Sequence, residues 1–153
     1  MGDGLTNSYI EKSGLKLLKD FLGCFPADFQ PQTPKNNFSI IFNLSDHNQV
    51  GTHFIAIDCR DDNITYFDSF GKPCTNKLIN TFIRKNIKGR NFVYNKTKVQ
   101  HESSSMCGIF CLGFLISQES GVPLKTFLKS FHKTNLLLND KLILDCIKKL
   151  KHC

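Results

Sequence analysis

Near the N-terminus, Ile10, Leu15, Leu18, Phe21 and Leu22 repeat at helical intervals. Ser8 and Glu11 have capping-box spacing ahead of them, and Gly23 and Pro26 close the segment. The proline-pinned FQPQTPKNN that follows reads as an extended loop. Three short runs, FSIIFNL (38–44), HFIAIDC (53–59) and ITYFDSF (64–70), predict strands that are apolar on both faces in places. NKLINTFIRKNI (76–87) predicts a helix with Thr75 as N-cap and Gly89 as its stop, and NFVYNKTKV (91–99) a further strand. The segment after Cys107 is apolar all round, as in a buried central helix, where Gly108 and Gly113 let other elements approach closely. An amphipathic helix over 140–151 turns Ile143, Cys146, Ile147 and Leu150 inward. The expectation is an α+β fold: a mainly antiparallel central sheet flanked by helices, with residues 1–153 as a single domain.

Composition narrows this picture. A chain of 153 residues can bury about 68–70% of its unfolded surface in one core, and 14 Phe with no Trp supply much of it. No apolar run reaches the roughly 20 residues of a membrane span. The opening MGDGLTNSYI lacks the basic flank and apolar stretch of a secretory signal, although Gly2 and Thr6 fit an N-acylation pattern. The seven cysteines (Cys24, Cys59, Cys74, Cys107, Cys111, Cys146 and Cys153) are odd in number and form no C-x-x-C framework. Reduced thiols in an intracellular compartment are expected. A zinc set of His101, Cys107 and Cys111 fits no standard spacing, so no metal is expected.

The net charge is +7. Arg84, Lys85, Lys88, Arg90, Lys96 and Lys98 gather in one stretch, and Lys148, Lys149 and Lys151 near the C-terminus. Two readings stay open: solvated faces of a helix and a strand edge, or contact with DNA through its phosphates.

The chemistry centres on QHESSSMCGIFCLGF (100–114), where a polar run ends abruptly at Cys107. At the first turn of the buried helix, unpaired N–H groups and the positive end of the dipole favour an anionic sulfur. A thiolate nucleophile needs an imidazole. His47, His132, His152 and His101 lie in polar or basic segments, whereas His53 opens a strand. If the strands 53–59 and 64–70 join through a turn at Arg60-Asp61, His53 faces Asp68 directly, and a turn longer by two residues keeps them on one face. Asp68 is then placed to orient the imidazole. The Cys107 N–H offers one oxyanion donor and the Gln100 amide a second.

These blocks resemble the adenains, the adenovirus maturation proteases. FLGCFPADF, SIIFNLSDHNQVGTHFIAI, TYFDSFG and VQHESSSMCGIFC are similar, in this order, to the family's N-terminal, histidine, acidic and glutamine–cysteine blocks. The resemblance implies a cysteine endopeptidase with His53 as general base, Asp68 as orienting acid, Gln100 as oxyanion donor and Cys107 as nucleophile. It implies the α+β fold shared with the SUMO- and ubiquitin-like-protein proteases. It further implies cleavage of viral precursor polypeptides at small-residue, glycine-containing sites during virion maturation, in the host nucleus and the virion. The chain is expected to act as a monomer, with no cofactor in the chemistry itself and with DNA or a viral peptide as activators.

Three departures stand out. Asp68 replaces the usual Glu, Phe54 replaces the usual Trp, and the chain is shorter after the catalytic helix. Another DNA virus or an integrated virus-like element is therefore the expected source. No cysteine lies between Cys74 and Cys107, so a disulfide-linked peptide activator is not expected. The alternatives are a protease that removes ubiquitin-like modifiers, and a non-catalytic basic DNA-binding virion protein.

Overall fold

The computed structural model describes residues 7–33, 35–44 and 53–151. The chain runs α1 (Asn7–Leu17), β1 (Phe21–Pro26), β2 (Phe38–Asn43), β3 (Phe54–Arg60), β4 (Asn63–Phe67), α2 (Lys77–Ile87), β5 (Asn91–Tyr94), α3 (Cys107–Glu119), α4 (Leu124–Lys129) and α5 (Leu137–Lys151). The strands form one sheet in sequence order. The α+β class holds, but the sheet is mixed: β2–β3 and β3–β4 are antiparallel, while the outer pairs β1–β2 and β4–β5 are parallel. Each outer pair has a long connection that reverses the chain, and short-range periodicity carries no information about that crossover.

The near-continuous apolar strands follow from burial on both faces. Ile41, Ala56 and Phe67 lie in register on one face, and Ile40, Ile57 and Tyr66 on the other. The first face packs on α3, whose residues from Cys107 to Leu115 are all buried. There Phe67 and Phe114 stack with ring centroids 4.7 Å apart. Burying a ring of this kind is worth roughly 1.5–3 kcal/mol. The second face packs on α2 through Ile79, Phe82 and Ile83.

Close approach to α3 does require glycine. A Cβ at Gly108 would stand 2.1 Å from Ile10 Cδ1, and one at Gly113 would stand 2.2 Å from Ile143 Cδ1. These contacts draw α1 and α5 onto the central helix.

Several local expectations are corrected. The first helix stops at Leu17, and 21–26 is a strand, because pairing with β2 outweighs a helical spacing that happens to continue. Glu11 forms no capping box, since Ser8 lies inside the helix and the Glu11 carboxylate accepts the Cys24 N–H at 3.0 Å. Leu15 is exposed. The N-cap of α2 is Asn76, whose Oδ1 accepts from Leu78 N at 2.9 Å and Ile79 N at 3.1 Å. The 91–99 strand is paired only to Tyr94, and α4 had no sequence signal strong enough to predict it. The last helix starts at Leu137, with Ile143 and Ile147 buried but Cys146 exposed. Gly2, Thr6, His47, His152, Cys153 and the side chains of Leu150 and Lys151 lie outside the described residues.

Candidate active site

The β3–β4 hairpin turns at Asp61-Asp62, one residue later than expected, with Asp61 at φ +53° and Arg60 paired with Asn63. Continued outward, this register sets His53 across from Phe70, whose ring lies 5.3 Å from the imidazole. The shift leaves His53 and Asp68 on one face, because side chains alternate with a period of two. His53 Nε2 is 3.0 Å from Asp68 Oδ2.

Asp68 sits just past β4, almost wholly buried. Its Oδ1 accepts the Phe70 N–H at 2.8 Å, and its carbonyl accepts the Gly71 N–H at 2.8 Å. Asn95, also buried, accepts the Asp68 N–H at 3.0 Å and donates to the Asp68 carbonyl at 2.6 Å. The carboxylate is therefore held by its turn and by β5's extension before it meets the histidine.

Cys107 is the first residue of α3, where the backbone N–H groups lack intrahelical acceptors. Its Sγ accepts the Phe54 N–H at 3.4 Å, so the sulfur lies against the start of β3, next to His53. Burial works against a charged imidazole, but the hydrogen bond to Asp68 and the interaction with Cys107 outweigh it, and the His53 pKa is raised to about 9. With Nε2 committed to Asp68, Nδ1 is the ring nitrogen left to face the sulfur.

Burial pushes Cys24 and Cys59 up to about 12 and Cys111, one turn after Cys107, well above the ordinary thiol value. They remain neutral packing groups.

Gln100 is fully buried. Its N–H donates to the Ser69 carbonyl at 3.1 Å, its Oε1 accepts from the Ser69 hydroxyl, and its Nε2 donates to Ser104 O at 3.0 Å and Ser104 Oγ at 3.1 Å. The structure thus brings His53, Asp68 and Cys107 together, and holds Gln100 in the loop leading into α3. The supporting residues Ser69, Asn95 and Ser104 were not singled out from the sequence. The one available signal was a polar Asn95 ending an apolar run.

The remaining candidates lie elsewhere. His101 is half-buried and turned onto Ser103, whose Oγ is 2.8 Å from Nδ1. Among the described residues no three His, Cys, Asp or Glu side chains form a metal-binding cluster. Of the basic stretch, Arg90 holds the fold by donating to the carbonyls of Asp61, Asn86 and Asn36. Lys98 pairs with Glu102 at 3.0 Å, Lys96 lies over the Tyr94 ring, and Arg84 donates to Thr81. Lys85 and Lys88 lie at the end of α2, Lys88 as its left-handed C-cap. No helix among the described residues is long and apolar enough to cross a membrane.

No family model matches this sequence, and no curated protein sequence matches it. Its fold has solved counterparts. The ASFV pS273R protease aligns with a TM-score of 0.60 over 91% of this chain and 65% of that one, at 17% identity. ChlaDub1 from Chlamydia trachomatis aligns with a TM-score of 0.54 over 76% of this chain and 61% of that one, at 13% identity. The chain therefore spans less than two thirds of either protein's length. At such identities the likeness is one of fold, and the α+β protease fold expected from the sequence is the fold the chain has.

Proposed function

We propose that this chain is a cysteine endopeptidase, with Cys107 as nucleophile, His53 as proton carrier, Asp68 as the acid that orients it and Gln100 as an oxyanion donor. The observation that carries this is the convergence on one sulfur. Cys107 opens a buried helix, takes the Phe54 N–H at 3.4 Å, and interacts with an imidazole anchored at 3.0 Å by a buried carboxylate.

In the first step the thiolate bonds to the scissile carbonyl carbon, and the carbonyl π electrons move onto oxygen. The Cys107 N–H and the Gln100 amide stabilise that charge. Collapse expels the amine, which takes the proton from His53 and leaves a thioester. Water then gives a proton to His53 and attacks the thioester. Departure of the sulfur as thiolate releases the acid and restores the pair.

The substrate class is viral precursor protein, cut at small-residue, glycine-containing sites. Two things support it: the adenain-like order of the sequence blocks, and the fold shared with a protease of ASFV. Removal of ubiquitin-like modifiers is the second reading, favoured by Asp68 in place of Glu. DNA remains a proposed activator through Arg84, Lys85, Lys88 and their neighbours, and the host nucleus and virion the proposed setting.

The test is cleavage of precursor-derived peptides by the purified chain, with and without DNA, read by mass spectrometry. Cys107→Ala should abolish cleavage with an unchanged circular dichroism spectrum. Undiminished cleavage in that variant overturns the assignment. Cleavage of ubiquitin-like Gly-Gly fusions in preference to precursor peptides would favour the second reading.

A further inference from the structure

The loop between β5 and α3 carries Gln100 and leads directly into Cys107, and one hydroxyl in it is saturated. Ser104 Oγ accepts from Gln100 Nε2 at 3.1 Å and from the Met106 N–H at 3.1 Å, and it donates to Asp140 Oδ1 at 2.9 Å. A hydroxyl has one proton and two lone pairs, so these three contacts use all of its capacity. The direction of each is set by the only partner that must accept: Asp140. With the Ser104 proton committed to that carboxylate, both lone pairs turn toward the amide of Gln100 and the N–H of Met106, the residue before the nucleophile.

Asp140 lies in the first turn of α5, outside the four residues of the proposed catalytic set. Its neighbour Asn139 is fully buried, donates to the Val99 carbonyl at 2.9 Å and accepts the His132 N–H at 2.8 Å. Two adjacent residues of α5 thereby grip the loop at both ends, Val99 before Gln100 and Ser104 after it. Neither touches the sulfur or the imidazole in any contact above.

We propose that Asp140, acting through Ser104, is a positioning residue that aims the Gln100 amide and the backbone entering Cys107 at the oxyanion. This rests on the peptidase function proposed above. Without the carboxylate, the Ser104 hydroxyl is free to rotate and to offer its proton in place of a lone pair, which leaves Gln100 Nε2 with the Ser104 carbonyl alone to set its direction.

The experiment separates attack on a carbonyl from attack at a saturated carbon. Alkylation of Cys107 by iodoacetamide creates no oxyanion, so it depends on the sulfur and the imidazole but not on Gln100. Asp140→Ala should lower kcat about tenfold with KM little changed, since a donor misaimed costs less than the 10²–10³-fold of one removed. Its Cys107 alkylation rate should stay within about twofold of the parent. Asp140→Asn keeps an Oδ1 acceptor and should recover most of kcat. Ser104→Ala should reproduce the loss without altering α5, and so serves if Asp140→Ala folds poorly. The Gln100 side-chain amide resonances, read by nitrogen-15 NMR in the full chain, should shift in Asp140→Ala whatever the substrate. Unmoved Gln100 resonances, an unchanged kcat, or a parallel fall in alkylation and hydrolysis would each overturn the inference. A parent chain that hydrolyses nothing while its Gln100 resonances respond to Asp140→Ala would instead overturn the peptidase function and leave the positioning contact standing.

Discussion

Asp68 divides its carboxylate between two tasks: Oδ2 lies 3.0 Å from His53 Nε2, and Oδ1 accepts the Phe70 N–H at 2.8 Å. The turn fixes the acid, and the acid fixes the ring. In Asp68→Asn the amide keeps the shape but loses the charge and can present an N–H to the ring, favouring the wrong tautomer. We expect kcat to fall by about 10²-fold or more, with folding retained. Full activity in that variant, measured on the peptide that the parent cleaves best, would remove Asp68 from the mechanism.

The same pair sets a pH dependence. Burial disfavours the His53 cation, but Asp68 and Cys107 outweigh it and raise its pKa from 6.5 to about 9. A raised folded value means that the pair's stabilisation is complete below the imidazole's ordinary value and is lost as pH rises through about 9. The proton destined for the leaving amine goes with it. The basic limb of kcat/KM should therefore lie near 9, and should move to lower pH in Asp68→Asn. An NMR titration of His53 with its midpoint at 6.5 would contradict this.

Asn95 is expected to matter more than its place at the end of a short strand implies. Truncation in Asn95→Ala strands the Asp68 N–H, removes one of the two donors to the Asp68 carbonyl, which keeps the Gly71 N–H, and takes away the Asn95 Nδ2 that donates to the Thr97 carbonyl at 3.2 Å. Stability should drop by about 2–3 kcal/mol, and hydrolysis should weaken because the acid's backbone is released. Chemical denaturation checks the first part; an unchanged midpoint would show that water replaces these bonds at no cost.

Gly71 holds the other end of the same turn, at φ +72°. A Cβ there would be 2.8 Å from the Lys96 carbonyl oxygen and 2.9 Å from the Thr97 carbonyl carbon. Backbone cannot swing aside as a side-chain tip can. Gly71→Ala should cost about 1–2 kcal/mol in left-handed strain alone, with the clash in addition. Thermal unfolding indistinguishable from the parent would refute the placement.

Asp58 supplies a control remote from the chemistry. It is buried in β3, and desolvation raises its pKa to about 6 against the opposing pull of Arg60. For an acid raised in this way the folded chain favours the protonated form, so stability is lost as pH climbs from 3.8 through about 6. Asp58→Asn should stabilise the protein by on the order of 2 kcal/mol at neutral pH, an effect that shrinks toward zero in acid. Destabilisation at neutral pH would mean that the Arg60 pair outweighs burial.

Much of this was legible in one dimension because the relevant rules are local. Short apolar runs placed β2, β3 and β4, and the parity of a hairpin put His53 and Asp68 on one face even though the turn fell one residue later than expected. The abrupt polar-to-apolar border at Cys107 located the start of α3. What failed was local periodicity in conflict with pairing: Phe21 and Leu22 carried a helical spacing yet open β1, because β2 offered that segment a ladder. Cys146 kept an inward period but faces solvent, while among the described apolar residues of α5 it is Ile143 and Ile147 that join the core around α3.

The sequence by itself determined the residue types, their order and the alternation that puts the histidine and its acid on one face. Only the tertiary structure decided that the two outer strand pairs run parallel, that Asn95 and Ser69 brace Asp68 and Gln100, and that α5 reaches back to Ser104 through Asp140. The physical reason is range. Side-chain periodicity is set by neighbours a few residues away, whereas each of these contacts joins groups 17 to 36 positions apart. Their formation depends on where the packed helices and crossovers deliver them.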